Sequence, residues 1–414
     1  MTTQASAEST HRPRTQNASL AADRARIAAI EAQILELKRL LSSLKEESDL
    51  LQDRLDAYTY PVFTLPNEIV SEIFIHFLPV YPATPPIIGR SSPSVLGQIC
   101  RKWRDIALGT PALWRGFTLS LRNGRRLNQK LRLLKVWLQR SGACLLSIDM
   151  DVEDDDRRLG ISVVAPFTRE IAAHSARWEY LRLYSPTRPF PFISAPLPFL
   201  RSLTVGPMEP VVDGAPNSDS LMQALHAAPL LQNVAVVFWR AHCTSLYPWS
   251  QLTAFTAHSI LPHLCVDIWA RAHNLTYCNM FVYAHEEESG DEVTRPSQNV
   301  TQQSLSTVIL RGDLPDDLPW NFLDILTFPA LRKLEIGEFL LQQDPIGLLQ
   351  SFVSRSRCSL QELYLNASDL DIESYRVALP TVGSIVSGEL DPVNPWGVPR
   401  DEENRSPRIA DGDE

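Results

Sequence analysis

Long unbroken apolar runs are missing from these 414 residues. That excludes an α-helical membrane span, which needs about 20 consecutive apolar residues. The opening stretch MTTQASAESTHRPRTQ also lacks an apolar core of signal-peptide length, so the expected location is intracellular, cytoplasmic or nuclear. Cysteine is scarce and unpaired: Cys100, Cys144, Cys243, Cys265, Cys278 and Cys358 form no Cys-x-x-Cys. In a reducing compartment they read as small core residues rather than a disulfide framework. The sequons at Asn274, Asn299 and Asn366 then have no glycosylation to receive. His263, Cys265, His273 and Cys278 lack the closely spaced ligand pairs of a zinc site, so no metal is expected. A Gly-rich phosphate loop, a Gly-x-Ser-x-Gly elbow and a His-Glu-x-x-His helix are all missing, and no nucleophile, base and orienting acid share a defensible spacing. The expectation is a non-catalytic protein with no cofactor.

Apolar residues make up 44% of the chain and charged ones 21%, the composition of an ordinary globular protein long enough for two or three domains. Thirty-one prolines outnumber 17 glycines, which predicts many short elements that end abruptly. The net charge of −9 favours solubility and weighs against a nucleic-acid partner.

Residues 1–19 are polar and aperiodic and read as disordered. Over 20–60, apolar residues recur at alternating steps of three and four: Ile27, Ile30, Ile34, Leu37, Leu41, Leu44, then Leu51, Leu55 and Tyr58, with Ser48 interrupting. That is a heptad seam, open to self-association through residues 27–58 or to packing on the chain's own domain. Pro61 ends it.

Two short helices follow. FTLPNEIVSEIF, residues 63–74, opens with Leu65 and Pro66 at a helix start and Glu68 in the first turn. Ile69, Ile73, Phe74 and Phe77 then recur at helical spacing. SVLGQICRKWRDIAL places Val95, Leu96, Ile99, Trp103 and Ile106 likewise, and Leu113-Trp114 closes the unit. These four blocks, in this order, resemble an F-box, in the F-box-like form common in fungal proteins, over residues 62–117. The resemblance implies helices that dock on the adaptor Skp1, and through it a cullin, with Leu65, Pro66, Ile69, Ile73, Phe74, Ile99, Trp103 and Trp114 as contacts. A unit of about fifty residues buries little surface of its own, so its apolar excess independently points to a partner. The chain departs from the pattern by inserting the proline-rich segment Val80–Ser94 between the two helices.

Residues 101–140 hold eleven Lys and Arg against one acid, Asp105. An acidic partner would suit them. A solvated helical face is the plainer reading, and aromatics for base stacking are not interleaved.

From Trp178 onward one pattern returns, apolar-x-x-apolar-x-apolar: Trp178, Leu181, Leu183; Leu200, Leu203, Val205; Leu231, Val234, Val236; then blocks opening at Leu252, Leu275, Leu305, Leu331 and Leu360. Intervals of 22, 31, 21, 23, 30, 26 and 29 residues straddle the period of a leucine-rich repeat, which these blocks resemble over about 175–380. Asparagine is missing three residues after the last apolar position, where Pro186, Met208, Asp313, Phe339 and Ser368 stand instead, so an irregular array is expected. The polar segments GPMEPVVDGAPNSDS and YAHEEESGDEVTRPSQNV should protrude as loops.

The expected fold is therefore α+β or α/β: a heptad helix (20–60), a small all-α F-box-like unit (61–120), a linker helix and first strand (121–175), an irregular leucine-rich-repeat solenoid (176–380) and a disordered tail (388–414). Arg182, Thr204, Asn279, Ile309, Glu335 and Tyr364, between the core positions of their strands, would face a client protein. The expected function is a substrate-recruiting adaptor of a Skp1-cullin-F-box ubiquitin ligase. The alternative is a non-enzymatic interaction scaffold organised by the heptad helix.

Overall fold

The computed structural model describes residues 13–57, 64–121, 126–152, 161–184, 196–206, 224–237, 247–283, 299–313, 321–341, 344–366 and 371–388. The chain divides into two compact units, one ending at Ile69 and the other beginning at Val70.

Alanines and straight-chain residues, the best helix formers, dominate the first unit's main element, α1 (Pro13–Ala57). Arg39 pairs with Glu36 at 3.7 Å and Gln52 donates to Asp56 at 2.9 Å along its length. Ile27, Ile30, Ile34, Leu37, Leu41, Leu44, Leu51 and Leu55 are all exposed, between 41% and 67%. Tyr58, the last residue assigned to that seam, lies outside the described residues.

Helix α2 (Asn67–His76) runs across the boundary between the units. It opens where the Pro66 carbonyl accepts the Ile69 N–H at 3.1 Å. Where the sequence reads as one helix from Ser94 to Leu108, the chain forms two, α3 (Leu96–Ile99) and α4 (Arg101–Leu108). Cys100 is extended between them, and its Sγ accepts the Trp103 N–H at 3.4 Å, capping α4. The Arg104 Nε–H bonds the Gly97 carbonyl at 2.8 Å across the break.

The strands follow in chain order: β1 (Gly116–Ser120), β2 (Leu146–Asp151), β3 (Trp178–Tyr184), β4 (Ser202–Gly206), β5 (Asn233–Val237), β6 (Ala254–Ile260), β7 (Tyr277–Tyr283), β8 (Val300–Thr301), β9 (Thr307–Asp313), β10 (Leu326–Thr327), β11 (Lys333–Gly337), β12 (Glu362–Asn366) and β13 (Ser384–Ser387). β8 and β10 pair with each other, and the other eleven form one sheet in sequence order. All their pairings are parallel. Parallel neighbours need a long crossover between them. Helices α5 (Leu127–Arg140) and α6 (Ile161–Ala172) supply the first two, and Pro262–Arg271, Pro345–Ser356 and Ile372–Ala378 supply later ones.

Register lines the apolar positions into rows. Phe117, Ile148, Leu181, Leu203, Val234, Phe255, Cys278, Val308, Leu334, Leu363 and Ile385 are successive partners, all buried. At one position backbones crowd so closely that only glycine fits. Gly312 has φ +126°, and a Cβ there would lie 1.7 Å from the Val282 carbonyl oxygen.

This architecture corrects the expected fold. The chain is not a leucine-rich-repeat solenoid preceded by a small all-α unit; it is an α/β fold with a long N-terminal helix and an eleven-stranded parallel sheet. The last two apolar positions of the apolar-x-x-apolar-x-apolar pattern mark one buried strand face, as the buried strands of a parallel sheet do whether or not they form a solenoid. What it does not reveal is burial on the second face: Thr204, Ala235, Asn279, Ile309 and Glu335, between the leucine rows, are buried too. Cover on both faces is the habit of parallel sheets with helical crossovers. Nor is the helical segment a separate unit, since its described residues from Val70 onward fall in the same compact unit as the sheet. Trp114 packs edge to face on Trp137 of α5, with centroids 4.9 Å apart, and its Nε1–H donates to the Ala107 carbonyl at 2.9 Å.

Candidate functional site

Two surfaces follow from this framework, one on the short helices and one across the sheet. On the helices, Phe74 of α2 meets Trp103 of α4 edge to face at 4.9 Å. Phe74 and Trp114 are buried and Trp103 half-buried. Thr110 adds polar links: its hydroxyl donates to the Ile106 carbonyl at 2.8 Å and lies in hydrogen-bond contact with the Ser71 hydroxyl at 3.0 Å. Of the other residues expected to dock, Leu65 is half-buried and Pro66 and Ile69 are exposed, all three within the first unit. Ile73 and Ile99, in the second unit, are 49% and 58% exposed. Within the second unit, Phe74, Trp103 and Trp114 thus hold the helices while Ile73 and Ile99 are exposed.

Exposed apolar side chains concentrate here. Among the described residues of the second unit, Ile73, Phe77, Val80, Ile88, Ile99 and Leu108 fall within 36 consecutive residues, and seven more are spread over all the rest. Scattered exposed apolar residues are ordinary; a local concentration is what marks an interaction surface.

The inserted segment Val80–Ser94 is held tightly against the first strands. Pro86 bridges to Thr118. The Thr118 N–H donates to the Pro85 carbonyl at 2.8 Å, and the Ile87 N–H to the Thr118 carbonyl at 3.1 Å. The Ser147 hydroxyl donates to the Pro82 carbonyl at 2.6 Å. Tyr81 donates to Glu179 at 2.8 Å, lies edge to face on Tyr180 at 5.5 Å, and carries the Arg115 guanidinium 3.8 Å over its ring. Burial, then the bond to Glu179, pushes the Tyr81 phenol well above its usual range.

Across the sheet, all six residues expected to meet a client fall in one register row. It runs Thr118, Asp149, Arg182, Thr204, Ala235, Thr256, Asn279, Ile309, Glu335, Tyr364 and Val386. Access differs along it. Thr204, Asn279, Ile309 and Glu335 are buried, whereas Arg182 and Tyr364 are half-buried. Charge within the row is paired. Arg182 lies 3.0 Å from Asp149, and Glu335, fully buried, accepts from the Arg311 Nε–H at 2.5 Å. Beside the row, Lys333 holds Glu362 at 2.9 Å, and that hydrogen bond lowers the Glu362 pKa.

Several of the basic residues of 101–140 make local contacts. Arg140 stacks over Trp114 at 4.6 Å, Lys130 donates to the Ser120 carbonyl at 2.7 Å, and Lys135 pairs with Glu170 at 3.5 Å. Burial lowers the pKa of both Lys130 and Arg140. Arg122 and Arg125 lie outside the described residues, as do Glu286, Glu287, Glu288, Asp291 and Glu292 of the second polar loop, most of the first, and the tail after Gly388.

Cys265 and Cys278 are wholly buried. Burial pushes the Cys278 thiol up to about 12, against a smaller opposing effect of the hydrogen bond it accepts from the Trp269 Nε1–H at 3.3 Å. Among the described residues, no three His, Cys, Asp or Glu are grouped to hold a metal, and no helix is long and apolar enough to cross a membrane.

No protein-family model matches the chain, and no curated protein matches it.

Proposed function

We propose that the chain is a non-catalytic, substrate-recruiting adaptor subunit of a Skp1-cullin-F-box ubiquitin ligase, acting in the cytoplasm or nucleus. Its F-box-like segment binds a Skp1-like adaptor, and the sheet unit offers a surface to a client protein. The observation that carries this reading is the division among the F-box-like residues. Phe74, Trp103 and Trp114 are spent on holding the helices, while Ile73 of α2, Phe77 just after it and Ile99 of α3, all in the second unit, are left exposed. A side chain needed only for folding has no reason to be about half exposed at helical spacing beside a buried one.

For the client, accessibility favours the Arg182 and Tyr364 positions of the row over the buried ones between them. Buried Thr204, Asn279, Ile309 and Glu335 instead act on that surface by holding the strands.

Co-purification tests the proposal. The wild-type chain retains Skp1 on a column, and a Leu65→Ala, Pro66→Ala variant with unchanged circular dichroism retains less. A wild type that leaves Skp1 in the flow-through contradicts the ligase role.

A further inference from the structure

We propose that two copies of this chain join through α1 as a parallel, in-register, two-stranded coiled coil. This goes beyond the adaptor reading and does not depend on it, because it concerns only the first unit.

Isolated helices are held mainly by packing of an apolar face, and every described side chain of α1 from Ser19 to Ala57 is exposed. The steps of three and four place Ile27, Ile34, Leu41, Ser48 and Leu55 at heptad position a, and Ile30, Leu37, Leu44 and Leu51 at d. Ile34 at a with Leu37 at d is the pairing that favours two strands, Ile27 with Ile30 the one that favours more, and Ser48 is the one polar residue at a.

Charge chooses the direction. In a parallel pair each g side chain meets the e side chain five residues later on the other helix. That sets Arg26 against the partner's Glu31, and the remaining contacts are Gln33 with Lys38, Leu40 with Lys45 and Glu47 with Gln52, none between like charges. Overlapping the same seam antiparallel, with Ile27 facing Leu51, brings Lys38 against Lys38 and Arg26 against Arg54, and the Glu31–Lys45 contacts do not offset both. Asp23 would be the next d residue before Ile30, and a pair of facing carboxylates there ends the seam.

Sedimentation equilibrium of the full chain, with site-specific cross-linking, tests this. The expected result is a dimer mass in the wild type and dimerisation at least 100-fold weaker in a Leu41→Lys, Leu44→Lys variant whose sheet unit is still folded. A Leu51→Cys variant oxidised mildly should form a disulfide between the two introduced thiols, identified by peptide mass spectrometry beside the parent chain. Antiparallel helices would hold those positions about 36 Å apart. A monomer at every concentration, a trimer, a dimer indifferent to the lysine substitutions, or a dimer without that cross-link each overturns the proposal.

Discussion

Phe74 and Trp103 meet edge to face with centroids 4.9 Å apart, while Ile73, beside Phe74 in α2, is 49% exposed. Adjacent residues of one helix therefore have opposite duties, and substitution should separate them. Phe74→Ala removes a buried ring and should cost about 3–4 kcal/mol. Ile73→Lys should change stability by no more than about 0.5 kcal/mol, as exposed substitutions do. Urea denaturation of the two variants measures both.

Arg311 and Glu335 offer a second test. Because Glu335 is wholly buried and paired at 2.5 Å, Arg311→Met takes the guanidinium from a buried carboxylate and should cost about 3 kcal/mol. Adding Glu335→Met should recover much of that loss, since the buried charge is then gone. A double-mutant cycle by chemical denaturation gives the coupling; additive losses would show that the pair does not act together.

Tyr81 predicts a dependence on alkaline pH. Burial and the hydrogen bond to Glu179 raise its pKa above the ordinary 10.0. A raised folded-state pKa contributes stability that is whole below the unfolded value and lost as pH rises beyond it. Wild type should therefore lose stability more steeply than Tyr81→Phe from about pH 10 upward. Equal slopes for the two proteins in denaturation between pH 9 and 11 would refute this account of the Tyr81 contact.

The strands were largely legible in the sequence, because each buried pair such as Leu334 and Ile336 announces its own strand by period-two spacing. So was the row from Arg182 to Tyr364, once those pairs were aligned. The architecture was misread because local spacing carries no information about what covers the second face, and there Ile309 and Glu335 are buried. β1 carries alternating Phe117 and Leu119, but it begins two residues after the turn that ends at Trp114, and five residues of alternation are too few to separate a strand from the end of that turn. Cys100 split a helix that its apolar spacing made continuous, because a cysteine cap has no strong sequence signature. The proline-rich segment read as an interruption, yet its hydroxyl and carbonyl groups are matched to Thr118, Ser147 and Glu179, partners up to 98 residues away. Long-range pairings of that kind are invisible to spacing.

Calorimetric titration of Skp1 into the purified chain, beside an Ile73→Lys, Ile99→Lys variant, tests the central claim most directly. The account predicts saturable 1:1 binding per chain by the wild type and at least 100-fold weaker binding by the variant, with the same unfolding midpoint for both. No heat of binding with the wild type, or equal affinity in the variant, would contradict it.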